Sequence, residues 1–244
     1  MPNFQVRDTT PELMDIEIVD FDTLQKCLVE LAQANRLSLA YRPTLRFFDR
    51  LLKEQLIAPS RPALVLDAAS GFGDMSRKID RWAARRNIPL EFVGVDMNPW
   101  SARAAATATE TGRPIRWVTA DLFDYRPEGG IDIVMSSLFT HHLPDAMLVK
   151  FLKWMDATAR IGWFINDLER HPLPYYALKI GFRLLRRHRF MQHDGPVSVA
   201  SAFKRRDWIR YLGEAGIPLD EVRIEKWAPF RLCVSRIKPL TDAP

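Results

Sequence analysis

Between residues 63 and 167 the chain repeats one unit: a short apolar run, a turn, then a stretch with helical periodicity. The runs at 63–66, 92–95, 115–120, 131–135 and 161–165 are short and apolar and read as strands. Between them, 74–86 places Met75, Ile79, Trp82 and Ala83 on one helical face, and 144–159 does so with Met147, Phe151, Leu152 and Met155. An alanine-rich helix opens at Pro99. Strands alternating with helices predict a parallel sheet covered on both faces, with right-handed crossovers. The first three strands each end in an aspartate: Asp67, Asp96 and Asp121.

The flanks break this rhythm. Residues 1–20 show no period and read as an arm. Apolar residues at helical spacing predict a helix over 22–37, and a second runs from near Pro43, in its first turn, to about residue 56. After the fifth strand comes a long insertion, 168–204, with a basic amphipathic stretch at 175–190. A helix over 206–215 stops at Gly216. Two strands, 222–227 and 230–235, are joined tightly at Ala228-Pro229, so they must pair antiparallel.

A chain of 244 residues can bury a sizeable core as one α/β domain with a cap. The net charge of +5 is uneven: ten Lys/Arg stand against two Asp/Glu between Arg170 and Arg210, leaving the remainder slightly acidic. This predicts one basic element rather than a generally basic nucleic-acid-binding surface. Two cysteines, Cys27 and Cys233, build neither a disulfide framework nor a metal site, and no metal is expected. The N-terminus lacks the apolar run of a signal peptide, and no stretch approaches a membrane span, so a cytoplasmic protein is expected. A homodimer is left open.

Ligands of an open parallel sheet bind at the carboxyl ends of its strands. There Gly71 and Gly73 allow positive φ and close backbone approach. Asp67 precedes this turn and Asp74 follows it, so a pyrophosphate would meet negative charge, whereas a ligand with sulfonium and ammonium groups would not. Asp96 is placed to accept from both hydroxyls of a ribose. Asp121 can accept from an adenine amino group, with Met97 or Leu122 against the ring. A dinucleotide fingerprint would want glycine or alanine at Ser76.

These segments resemble the class I S-adenosylmethionine (SAM)-dependent methyltransferases. Val-Leu-Asp-Ala-Ala-Ser-Gly-Phe-Gly (65–73) is similar to their first motif, Val-Gly-Val-Asp-Met-Asn (93–98) to the ribose motif, and Ala-Asp-Leu-Phe (120–123) to the adenine motif. Asp-Ile-Val-Met-Ser-Ser-Leu-Phe-Thr-His-His-Leu (132–143) resembles the fourth-strand motif of small-molecule enzymes of the ubiquinone-biosynthesis type. The resemblance implies a Rossmann-like α/β fold, with a seven-stranded, mostly parallel sheet ending in an antiparallel hairpin. It implies SAM as cofactor, with Ser137 beside it and Arg42 on its carboxylate. Ala69 departs from the family's usual glycine and narrows the turn where the methionine moiety should lie. The chain then divides into an arm and helical cap (1–60), a SAM-binding core (61–167), an acceptor-binding insertion (168–204) and a completing helix and hairpin (205–244).

His141 and His142 follow the fourth strand at the pocket rim, and either suits a general base near neutral pH. Asp167, ending the fifth strand, is a further candidate base. The insertion offers His171, Tyr175 and His193 to the acceptor, with His193-Asp194-Gly195-Pro196 reading as a shaped loop. Nucleic acid is not the expected acceptor, because Ser136-Ser137-Leu138-Phe139 stands where adenine-N6 enzymes resemble one another in an Asn/Asp-Pro-Pro-Tyr/Phe motif. The expected partner is a small apolar or aromatic molecule, phenolic or polyketide-like, methylated on oxygen with a histidine base. C-methylation, RNA methylation through the basic insertion, and SAM binding without catalysis are the alternatives.

Overall fold

The structure, a computed structural model, describes residues 2–57, 61–127 and 129–239. Its centre is a seven-stranded sheet in the order β3-β2-β1-β4-β5-β7-β6. The strands are β1 (Ala63–Ala68), β2 (Leu90–Asp96), β3 (Ile115–Thr119), β4 (Ile131–Ser137), β5 (Ala159–Leu168), β6 (Val222–Trp227) and β7 (Arg231–Ile237). The first five pair in parallel, and β7 runs antiparallel to both β5 and β6, as expected of a hairpin at the sheet's end.

Helices α1 (Leu13–Ile16), α2 (Phe21–Leu37) and α3 (Tyr41–Lys53) precede the sheet. Asp20 caps α2 by accepting from the Thr23 amide, and Pro43 falls in the first turn of α3, where its missing N–H costs little. Helices α4 (Asp74–Ala84), α5 (Pro99–Thr107) and α6 (Asp145–Thr158) are the crossovers, and α9 (Arg205–Ala215) ends at Gly216 with φ 74°. Buried apolar residues form two large clusters. One is built on Leu66, Val134, Phe151, Trp163 and Trp208; the other on Phe48, Val65, Ile79, Phe92 and Ile133. Alternate residues of β1 and β4 fall in opposite clusters, as a sheet covered on both sides requires.

Trp117 on β3 lies across two glycines. A Cβ at Gly94 would sit 2.3 Å from its ring, and one at Gly73 only 2.0 Å from it. The indole therefore supports the glycine turn from below. Neither spacing nor composition singled this residue out.

The insertion folds as two helices, α7 (Pro172–Leu184) and α8 (Arg189–Ser201), where one amphipathic stretch was expected. The expected loop at His193–Pro196 is instead inside α8. Gly195 is there for packing: a Cβ would lie 2.6 Å from the Phe182 ring of α7. Pro196 costs one helical hydrogen bond but is buried. The arm is pinned by Arg7, whose guanidinium donates to Asp145 and to the carbonyls of His141 and Leu143, and stacks 4.5 Å over Phe203.

Candidate functional site: a cofactor cleft and a histidine–carboxylate cluster

The carboxyl ends of β1 and β4 and the glycine turn line a cleft of about 90 Å³ with α2, through Leu28, Leu31, Asn35, Asp67, Ala69 and Ser137 among others. Asp67 is buried and accepts from Ser76 Oγ at 2.6 Å. Burial outweighs that hydrogen bond and, with Asp74 and Asp96 nearby, pushes its carboxyl up to about 7. A buried acid so poised favours an incoming cation over an anion. Ser76, which departs from a dinucleotide fingerprint, is thus the partner of the acid at the end of β1. Ser70 Oγ, at the same turn, is buried without a hydrogen-bond partner among the described residues. An acidic floor, a left-handed glycine turn and an orphan hydroxyl fit the amino-acid end of SAM.

Asp96 accepts from the Gly71 amide at 2.8 Å and from the Asn98 amide at 2.9 Å, so the carboxylate expected at the ribose also fixes the glycine turn. Asp121 is exposed and accepts from the Phe123 amide; Met97 is exposed at the rim, and Leu122 is buried. Gly71 and Gly73 have φ of 50° and 68°, and Ala69 shares their left-handed region at 56°. For a residue with a Cβ that conformation costs roughly 1–2 kcal/mol. Ala69→Gly is expected to stabilise the fold by about 1 kcal/mol, since relief of strain exceeds glycine's added chain entropy. The urea midpoint measures it, and a destabilised variant would show that the Ala69 methyl packs usefully.

Arg42 does not reach the cleft: it is exposed, and its side chain forms no hydrogen bond with the described residues. One position earlier, Tyr41 turns inward and its hydroxyl donates to Asp74 at 2.7 Å. The inward cation is instead Arg231 on β7, 3 % exposed, whose guanidinium donates to the amide oxygens of Asn166 (3.2 Å) and Asn35 (3.4 Å). No carboxylate among the described residues lies within ion-pair distance of it. A buried cation satisfied only by neutral oxygens is costly to hold and marks a place for an anion.

Beyond β4 the two histidines divide. His141 is buried: Nδ1 lies 2.7 Å from Asp167, and Nε2 lies 3.4 Å from Glu12. Burial alone would lower its pKa, but the Asp167 carboxylate and then Glu12 prevail and push it up to about 10. Asp167 is held near 2 against its own burial by His141, by Thr140 Oγ1 at 2.5 Å, and by the Leu168 amide. At neutral pH this pair is an imidazolium and a carboxylate. Neither has a vacant basic atom, so both position the segment after β4. His142 is half-buried, with Nδ1 2.7 Å from Asp15 and Nε2 4.0 Å from Glu12. Glu12 and the two Nε2 atoms lie within 4.8 Å of one another, a set that suits a shared proton. Glu12 and Asp15 come from the aperiodic arm and carried no signal in the sequence; Ser198 Oγ donates to Glu12, and Asp194 holds the helix that carries Asp15.

His171 caps α7, accepting from the Leu173 amide, and stacks 5.0 Å from Phe230. Tyr175 contacts Phe4 edge-on at 5.4 Å. His193 is exposed and bonds to Asp194, which in turn accepts from the amides of Leu13 and Met14 and so anchors α1. The thiols of Cys27 and Cys233 are buried and pushed upward by desolvation, so neither is a thiolate.

Residues 65–162 match the family model described as a methyltransferase domain. No curated protein matches the sequence. Among solved structures, the plantazolicin methyltransferase BpumL in complex with SAH superposes with a TM-score of 0.61 at 11 % identity, over 88 % of this chain and 93 % of that one. The magnesium protoporphyrin IX methyltransferase ChlM of Synechocystis PCC 6803 with bound SAH superposes at 0.56 and 15 %, over 91 % and 90 %. The citrinin polyketide synthase CMeT domain superposes at 0.52 and 10 %, over 72 % and 46 %. These similarities share the fold; the matched segment carries the family. Residues 65–162 carry a methyltransferase domain, and S-adenosyl-L-methionine is the cofactor that goes with it.

Proposed function

We propose that the protein methylates an oxygen of a small apolar or aromatic acceptor, phenolic or polyketide-like, with His142 as general base. The observation that carries this reading is the Asp15–His142 pair. A carboxylate can only accept, so Asp15 draws the proton to Nδ1, and in the neutral imidazole that leaves the lone pair on Nε2. His141 is already protonated and cannot take the acceptor's proton.

SAM, when bound, supplies a methyl group activated by its sulfonium. Asp96 holds the ribose hydroxyls, and Asp121 meets the adenine amino group, with Leu122 and Met97 against the ring. Asp67 faces the cationic end, and Arg231 receives the carboxylate in place of Arg42. The insertion 168–204, with Tyr175, covers the acceptor. Much of the acceleration of a methyl transfer comes from alignment, so a rigid frame around the base matters as much as the base. Asp167, through His141, supplies that frame.

The test is a screen of phenols and polyketides with methyl-labelled SAM, read by mass gain and by the chemical shift of the new methyl. A labelled methoxy product is expected. A methyl on carbon would overturn the assignment to oxygen. His142→Ala is expected to lower turnover roughly 10²–10⁴-fold with SAH affinity unchanged. If SAH affinity falls instead, the imidazole is a cofactor contact.

A further inference from the structure

Helix α7 has two apolar faces, and only one is used. Leu178 and Phe182 turn toward Gly195 of α8, and Tyr175 turns toward Phe4 of the arm. On the other side Leu173, Tyr176, Ile180 and Leu184 follow one another at intervals of three and four, a continuous helical stripe. They are 61, 39, 58 and 78 % exposed, and Leu185 beyond the helix end is 66 % exposed. Single exposed apolar residues are ordinary, but four aligned on one helix, with a fifth directly after it, are not. Lys179 and Arg183 stand among them and are exposed, and Arg186 continues the set. Residues 172–193 hold five Lys/Arg and no Asp/Glu.

Charge limits what can cover this stripe. A second copy docked through the same face would place Lys179, Arg183 and Arg186 against their own equivalents, and a two-fold contact of like charges is unfavourable. A partner helix would want a groove walled by two elements. The hollow on this face is lined by Tyr176, Lys179, Ile180, Arg183 and Leu184, all from α7 itself. An apolar stripe with a tyrosine, edged by long cationic side chains that reach outward, is the composition of a helix lying flat in a lipid headgroup layer.

We propose that α7 and residues 185–187 dock the protein onto an anionic lipid bilayer, with Leu173, Ile180, Leu184 and Leu185 entering the acyl boundary and Lys179, Arg183 and Arg186 meeting the headgroup phosphates. The surface belongs to the insertion that, in the function proposed above, covers the acceptor. The protein would therefore collect an apolar acceptor from the membrane in which it dissolves. Docking itself does not depend on that function.

The test is co-sedimentation of the full chain with vesicles of phosphatidylcholine containing a quarter phosphatidylglycerol, against vesicles of phosphatidylcholine alone. Binding to the anionic vesicles is expected, weakening as salt shortens the screening length. Arg183→Gln with Arg186→Gln is expected to lose about fivefold per cation. Ile180→Asp with Leu184→Asp, at exposed positions, is expected to lose at least tenfold while SAH affinity and circular dichroism stay unchanged. Equal affinity for both vesicle types, no binding to either, or full binding by the aspartate variant would overturn the proposal. A dimer that this variant splits would assign the face to a second copy. Binding to polyglutamate but not to vesicles would assign it to an acidic protein.

Discussion

Asp167→Asn is expected to cost the fold about 3 kcal/mol, because it takes from a buried imidazolium the nearer of its two carboxylates and leaves it only Glu12 at 3.4 Å. Asp167 and His141 are both buried and hydrogen bonded, so solvent screens neither. The asparagine is nearly isosteric, and the loss is therefore electrostatic rather than a cavity. The effect carries a pH signature. His141 is raised in the folded state, so its contribution is complete below its ordinary value near 6.5 and fades as pH climbs toward about 10. Asp167 is lowered, so its contribution is complete above its ordinary value of 3.8 and fades as pH falls toward about 2. The wild-type advantage over the variant should be largest between about pH 4 and 6.5 and shrink on both sides. Urea midpoints at pH 5, 7 and 9 measure it. A gap that stays constant across this range would mean the pair is neutral in the folded protein.

The same pair shows where reading the sequence stops. The parallel core was legible because each strand and helix declares itself by local period, and the bounds of the elements shift by only a few residues. Asp67, Ala69 and Ser137 were legible as one site because strand ends converge at one edge of such a sheet, a rule of topology that needs no coordinates. The division of labour between His141 and His142 was not legible. Adjacent residues differ by which way each ring turns, and that is set by Arg7, Glu12 and Asp15 from an arm without periodicity, more than a hundred positions away. Long-range pairing of an aperiodic segment leaves no local trace. The loop expected at Gly195-Pro196 failed for a related reason. Both residues are turn formers locally, but the glycine answers to the ring of Phe182 on a neighbouring helix, and tertiary packing prevailed over local propensity. Ala69 was legible as a departure, and its left-handed backbone shows the methyl group carried at a position suited to glycine.

Arg231→Gln is expected to weaken SAH binding about a hundredfold while leaving 5′-methylthioadenosine, which lacks the amino-acid carboxylate, bound as before. Arg231 has two amide oxygens, from Asn35 and Asn166, and no carboxylate within ion-pair distance among the described residues. Burial lowers its pKa, the Asp167 and Asp74 carboxylates farther off oppose that only in part, and a guanidinium so basic stays charged. Asn35 lies between it and the cofactor cleft, which Asn35 itself lines. A ligand carboxylate arriving there would gain a charge-assisted contact in a dry setting, and truncating one member of such a buried pair typically costs about 2–5 kcal/mol. The two ligands separate the roles that a single affinity would confuse. If Arg231 merely braces β7 against α2, the variant weakens both ligands together. If the carboxylate lies elsewhere, it weakens neither, and Arg42 after a movement of α3 becomes the residue to test. The free protein offers an independent check. Removing a buried charge that has no carboxylate in direct contact should leave thermal stability unchanged or higher, whereas a structural arginine would lower it on substitution.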